Sequence, residues 1–113
     1  MAHLVITGGE PLLQQRSLIP FLTKLGKVYT ELETNATILL HPALIPLISQ
    51  INASPKVGSS GEPEHKRYKP EVIEQFLTLE PTLPVWFKFV ICTPDDVHEV
   101  WTRYCMALGV PPT

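Results

Sequence analysis

Long apolar runs are missing from this chain. Nothing in it approaches the ~18 consecutive apolar residues of a membrane-spanning helix, and no charged-then-apolar leader opens it. A secreted or membrane-bound protein is therefore not expected, and a cytoplasmic one is. An excess of basic residues is missing as well. Nine Lys and Arg against eleven Asp and Glu leave a formal charge of −2, which is no electrostatic footprint for nucleic acid. Cysteine is scarce: Cys92 and Cys105 are the only two, and their spacing matches no zinc or iron–sulfur signature. Both are expected as buried thiols, because free Cys behaves as a small hydrophobe. His3, His41, His65 and His98 share no metal-ligand spacing, so the chain offers no metal cage of its own.

What is plentiful is proline, twelve in 113 residues, gathered at the ends of apolar segments. The chain is long enough for one domain, 1–113, but a full eight-stranded barrel takes about 250 residues. Any barrel relationship is therefore to part of one. The most informative run is Leu4-Val5-Ile6-Thr7-Gly8-Gly9-Glu10-Pro11, which reads as a buried strand feeding a specialised loop. Paired glycines allow positive φ and close approach of a ligand to the main chain. Glu10 adds a fixed negative charge suited to an amino or hydroxyl group, and Pro11 turns the chain.

Strand and helix patterns then alternate. Leu18, Phe21, Leu22 and Leu25 form a helical stripe with Ser17 as its cap, Pro20 in the first turn and Gly26 as its stop. Lys27 to Glu33 reads as a second strand ending at Glu33-Thr34-Asn35, and Ile51-Asn52-Ala53 as a third running into Ser54-Pro55-Lys56. Pro42 and Pro46 limit the segment from Ile38 to Ile48 to one or two irregular helical turns. A long loop from Lys56 to Lys69 precedes a helix opened by Pro70, with Val72, Ile73, Phe76 and Leu77 on one face. Lys66, Arg67 and Lys69 in that loop read as solvated charge. Val85 to Ile91 is the fourth and most apolar strand. The last helix has Thr93 as cap, Pro94 at its first position and Asp95 and Asp96 at the positive end of its dipole. Trp101 and Tyr104 fall on its apolar stripe and are expected in the core.

Strands alternating with helices predict βαβ units and a parallel sheet, and such sheets bind ligands at the carboxyl ends of their strands. Those ends carry Thr7-Gly8-Gly9-Glu10, Glu33-Thr34-Asn35, Ser54-Pro55-Lys56 and Cys92-Thr93. Together they describe a polar small-molecule site.

Thr-Gly-Gly-Glu-Pro after an apolar strand, then Glu-Thr-Asn, then Ser-Pro-Lys, resembles the radical S-adenosylmethionine (radical SAM) enzymes. Within them it resembles the 7-carboxy-7-deazaguanine synthase family of queuosine and 7-deazapurine biosynthesis. The resemblance covers roughly residues 3 to 93 and implies an α/β fold, a partial (β/α) barrel with about four parallel strands alternating with helices. It assigns Gly8, Gly9 and Glu10 to S-adenosyl-L-methionine, with the acid and backbone groups meeting the methionine amino group. Ser54, Pro55 and Lys56 match a second contact segment for the same cosubstrate, and Asn35 faces that rim. Thr7 matches a threonine touching the pterin-like substrate, with Glu33 beside it. Ala36 stands where the family's motif usually continues with glycine.

The activity implied is that of a lyase. A [4Fe-4S] cluster cleaves S-adenosylmethionine, and the resulting radical starts ring contraction of 6-carboxy-5,6,7,8-tetrahydropterin, helped by Mg2+. The family also allows a homodimer. The cluster, however, needs three cysteines upstream of the glycine motif, and neither these nor the magnesium-binding threonine is here. The expectation is an interior and C-terminal piece of such a radical SAM core, inactive alone, with no catalytic or metal-binding residue of its own. A non-catalytic S-adenosylmethionine-binding α/β module is the alternative.

Overall fold

The computed structural model describes residues 2–112; the first and last residues of the expected 1–113 domain lie outside the described residues. Four strands form one parallel sheet in the order β1-β2-β3-β4: β1 His3–Ile6, β2 Tyr29–Thr34, β3 Gln50–Ala53 and β4 Val85–Phe87. Helix α1 (Gln15–Leu25) follows β1, α2 (Glu64–Arg67) and α3 (Pro70–Leu79) follow β3, and α4 (Pro94–Glu99) follows β4. Between β2 and β3 the prolines permit only turns and a 3-10 piece, Ile45–Leu47. The sheet is open and consecutive strands are neighbours, as in part of a (β/α) barrel.

The two faces of the sheet are chemically opposite. Leu32, Ile51 and Ala53 point into a buried cluster with Leu12 and Leu22 from the β1–α1 side, Leu44, and Val72, Ile73 and Phe76 of α3. The alternate positions of β2 and β3 are polar, with Val5 of β1 and Trp86 of β4 in register at the two edges of the same face. Register sets Glu31 opposite Gln50 and Glu33 opposite Asn52, so these side chains share the other face. Parallel sheets are ordinarily covered on both faces by apolar packing. Here the centre of one face carries acids and amides instead.

Four local expectations are corrected. Glu10, not Ser17, begins the first helical segment: its side chain accepts from Leu12 N at 3.0 Å, and a 3-10 turn over Pro11–Gln14 runs directly into α1. Pro20 therefore lies inside α1, on its exposed side. β1 is an edge strand rather than a buried one, with Val5 half-exposed. β4 leaves the ladder after Phe87, because β3 itself ends at Ala53 and Pro55 has no N–H with which to extend it.

The last helix begins as expected, with a capping box between Thr93 and Asp96, but widens to a π-helix over Val100–Met106. Tyr104 is fully buried, whereas Trp101 is 51% exposed and lines an apolar groove with Phe87, Phe89 and Ile91. The stripe thus faces the β4 edge as well as the core. Nor are the thiols buried: Cys92 is exposed and Cys105 half-buried.

Candidate functional site

The rim at the carboxyl ends of the strands is assembled by backbone geometry first. Gly8 and Gly9 both take left-handed φ, +86° and +46°, so the chain turns sharply after β1, and Gly9 lines a cavity with the ends of β2 and β3. A Cβ at Gly9 would meet no heavy atom within 4 Å: the space above it is open. Ala36 also lies at positive φ, 60°, which explains why a glycine suits that position.

Glu10 fastens this loop to the next. Its carboxylate accepts from Asn35 N at 2.8 Å and from the Thr34 hydroxyl at 2.8 Å to Oε2. The Thr34 hydroxyl in turn accepts from Ala36 N at 3.2 Å, and Asn35 Oδ1 accepts from the Thr37 hydroxyl at 2.6 Å. Glu10 therefore faces inward as a tether. Ser54 N donates to Thr34 O at 2.8 Å, which brings the end of β3 alongside.

The polar sheet face rises to this rim. Asn52 Nδ2 donates to Glu33 Oε2 at 2.5 Å and to Glu31 Oε1 at 3.2 Å, while Gln50 Nε2 donates to Asn52 Oδ1 at 2.8 Å. The Tyr29 hydroxyl donates to Gln50 Oε1 at 2.9 Å. Glu33 is thus oriented by an amide that is itself oriented.

A cavity of about 260 Å³ opens above, lined by Thr7, Gly9, Glu33, Thr34, Asn35, Asn52, Ser54 and Lys56. Six of the residues singled out in the sequence meet there: Thr7, Gly9, Glu33, Asn35, Ser54 and Lys56. Gly8 and Glu10 are not among its lining residues. Pro55 lines a neighbouring cavity of about 310 Å³ with Val57, Ser59, Ser60, Val90 and Cys92, and Ser54 and Lys56 border both. Each volume lies near the lower limit of ~300–1,000 Å³ for small-molecule sites.

Asn52 was missed as a site residue in the sequence, and Thr34 was named there only as the middle of Glu33-Thr34-Asn35. Asn52 carried a signal: an amide in the middle of a strand, in register with an acid on the next, marks a polar face.

The long loop after β3 is ordered by α4 and its continuation. Gly58 N donates to Glu99 Oε1 at 3.0 Å, Ser59 N to Asp96 Oδ1 at 3.2 Å, and Arg67 pairs with Glu99. Arg67 is thereby neutralised within the fold and is not a free anion receptor. Asp96 also accepts from Cys92 N at 2.9 Å and Thr93 N at 3.1 Å. The Ser59 side chain above all, then the Cys92 amide, hold its pKa down to about 2, against the opposing effect of burial.

No family model matches the chain. Among curated proteins it is 35% identical over 116 residues to the 7-carboxy-7-deazaguanine synthase of Pyrobaculum aerophilum, covering 98% of this chain. It is 37% identical over 112 residues to that of Hyperthermus butylicus, covering 95%. This chain is related to the 7-carboxy-7-deazaguanine synthases. It spans 46% and 45% of the lengths of those two relatives, about half of each.

Two cysteines cannot supply three thiolates, so this chain does not hold the iron–sulfur cluster that the radical SAM resemblance implies. Among the described residues, no group of three His, Cys, Asp or Glu side chains is placed to hold a metal ion. None of the described helices is long and apolar enough to cross a membrane. The rim has open space over Gly9 and is lined by carboxylate, amide, hydroxyl and lysine groups.

Proposed function

We propose that this chain is the cosubstrate- and substrate-binding part of a radical S-adenosylmethionine enzyme of the 7-carboxy-7-deazaguanine synthase type. The observation that carries this reading is the convergence of Thr7, Gly9, Glu33, Asn35, Ser54 and Lys56 on one cavity. They come from three strand ends, and the relatives that cover nearly the whole chain bear that family's name.

In this reading Gly9 offers its backbone to the methionine end of S-adenosylmethionine, and Ser54, Pro55 and Lys56 line the passage toward the second cavity. Thr7 and Glu33, on the sheet's polar face, meet the pterin substrate, 6-carboxy-5,6,7,8-tetrahydropterin. An iron–sulfur cluster, whose ligands this chain lacks, would supply the cleavage of the cosubstrate to an adenosyl radical, and magnesium would assist as in the family. This chain's own residues bind, orient and keep a polar wall around the ligands. Glu33 is held for that role by Asn52, and Glu10 supports the site by fixing the loop rather than by touching the ligand.

The test is equilibrium binding of S-adenosylhomocysteine, a non-reacting analogue, to the 113-residue chain, by calorimetry or amide chemical shifts. Binding in the micromolar to millimolar range, with shifts at Gly9, Asn35, Ser54 and Lys56, is the expected result. Absence of binding at millimolar ligand by a folded chain overturns the reading. A non-catalytic binding module shares this result. It parts from the enzyme reading when an extended reading frame is reconstituted with iron and sulfide, where the enzyme releases 5′-deoxyadenosine and the module does not.

A further inference from the structure

We infer that Asp96 is a positioning residue for the cavity beside Ser54 and Lys56, its buried carboxylate holding together the two walls between which a ligand lies. The inference rests on the reading of that rim as a cosubstrate site. One wall is the loop after β3, which contributes Val57, Ser59 and Ser60; the other is the segment after β4, which contributes Val90 and Cys92. Asp96 is 2% exposed and joins them directly: Oδ1 accepts from Ser59 N, 37 positions away in the chain, and Oδ2 accepts from Cys92 N and Thr93 N. Its neighbour Asp95 has the same place at the helix start in the sequence yet is exposed.

The chemistry requires a carboxylate. Three N–H groups converge on two oxygens, and a carboxylate can accept at both. An asparagine of the same shape has one oxygen and one NH2. Whichever way it turns, its NH2 faces either the N–H of Ser59 or those of Cys92 and Thr93, and the backbone bonds on that side are lost. Glu99 reinforces the first wall through Gly58 N and Arg67, one turn along the same helix. The capping bond of Thr93 is separable, because it runs from Asp96 N to the Thr93 hydroxyl, 3.2 Å, and does not use the carboxylate.

Cys92, exposed in the cavity, is a built-in reporter. Its alkylation rate in the full chain, read by peptide mass spectrometry, is compared among the unsubstituted chain, Asp96→Asn, Asp95→Asn and Thr93→Ala. Asp96→Asn is expected to raise the Cys92 rate at least fivefold and to weaken S-adenosylhomocysteine at least tenfold. Thr93→Ala, which removes the cap, is expected to lower the unfolding midpoint while leaving both quantities within twofold, and Asp95→Asn to change none of them. Equal effects of Thr93→Ala and Asp96→Asn on labelling, or none from Asp96→Asn, overturn the inference.

Hydrogen exchange of the unsubstituted chain gives a reading that depends on no variant. The amides of Ser59, Cys92 and Thr93 should share one protection factor; a spread beyond tenfold overturns the inference. If the unsubstituted chain binds no S-adenosylhomocysteine, the cosubstrate reading falls, while labelling and exchange still decide whether Asp96 holds the walls.

Discussion

The Thr34 hydroxyl donates to Oε2 of Glu10 at 2.8 Å, and this bond ties the loop leaving β1 to the end of β2. The same carboxylate takes Asn35 N and Leu12 N, so one acid caps a helical turn and closes the rim of the sheet. Its charge serves the shape of the site. The cavity's own acid is Glu33, on the polar face below.

Removing that tether should be felt in stability. Hydrogen bonds to charged groups contribute roughly 1.5–3 kcal/mol, and Glu10 is partly accessible, so water replaces some of what is lost. Glu10→Ala is expected to lower the unfolding free energy by about 2 kcal/mol, and Glu10→Gln by about 1 kcal/mol. Urea titration followed by far-ultraviolet circular dichroism measures both. A loss under about 0.5 kcal/mol for the alanine variant would show the tether to be dispensable.

The two glycines separate strain from site. Each takes left-handed φ, so Gly8→Ala and Gly9→Ala should each cost about 1–2 kcal/mol of stability. Only Gly9 lines the cavity. Gly9→Val should therefore weaken S-adenosylhomocysteine binding more than tenfold, whereas Gly8→Ala should change it less than threefold once the folded fraction is accounted for. Calorimetric titration of both variants reads the difference.

Much of this arrangement was legible in the sequence because the signals were local. The Gly8-Gly9-Glu10-Pro11 loop, the Thr93-Pro94 start of α4 and the Pro70 start of α3 each declare themselves within a few residues. What was not legible depends on pairing across the chain. That β4 stops at Phe87 follows from the length of β3, not from Val85 to Ile91 themselves. Trp101 and Tyr104 look alike by period, and only the π-helical widening and the β4 edge send one to the surface and the other inside. Asp96 reads as a helix-start acid until Ser59 is seen folded against it.

Acid should act through Asp96. Its unfolded value is 3.8 and its folded value is lowered to about 2, so the folded state binds the proton less readily. The stabilisation is fully present above about pH 4 and is lost as pH falls through about 2. In thermal melts between pH 6 and pH 2, Asp96→Asn should unfold at lower temperature than the unsubstituted chain at pH 6. The gap should close toward pH 2. Parallel curves across that range would assign the acid limb to other carboxylates.

Tyr104 offers the opposite sign. It is fully buried, packs edge-on against Tyr68 with ring centres 5.4 Å apart and against Phe89 at 4.9 Å, yet its hydroxyl finds no hydrogen-bond partner among the described residues. An unpaired buried hydroxyl costs about 1–3 kcal/mol, so Tyr104→Phe, which keeps every ring contact, should stabilise the chain by about 1 kcal/mol. Tyr104→Ala should cost about 3–5 kcal/mol through the cavity it leaves. Burial also pushes the phenol above its ordinary value of 10.0, so the unfolded chain loses that proton first and stability falls as pH rises past 10. Tyr104→Phe should flatten that alkaline fall, an outcome that melts at pH 8 and pH 11 would test; an equal fall in both proteins would place the titrating group elsewhere.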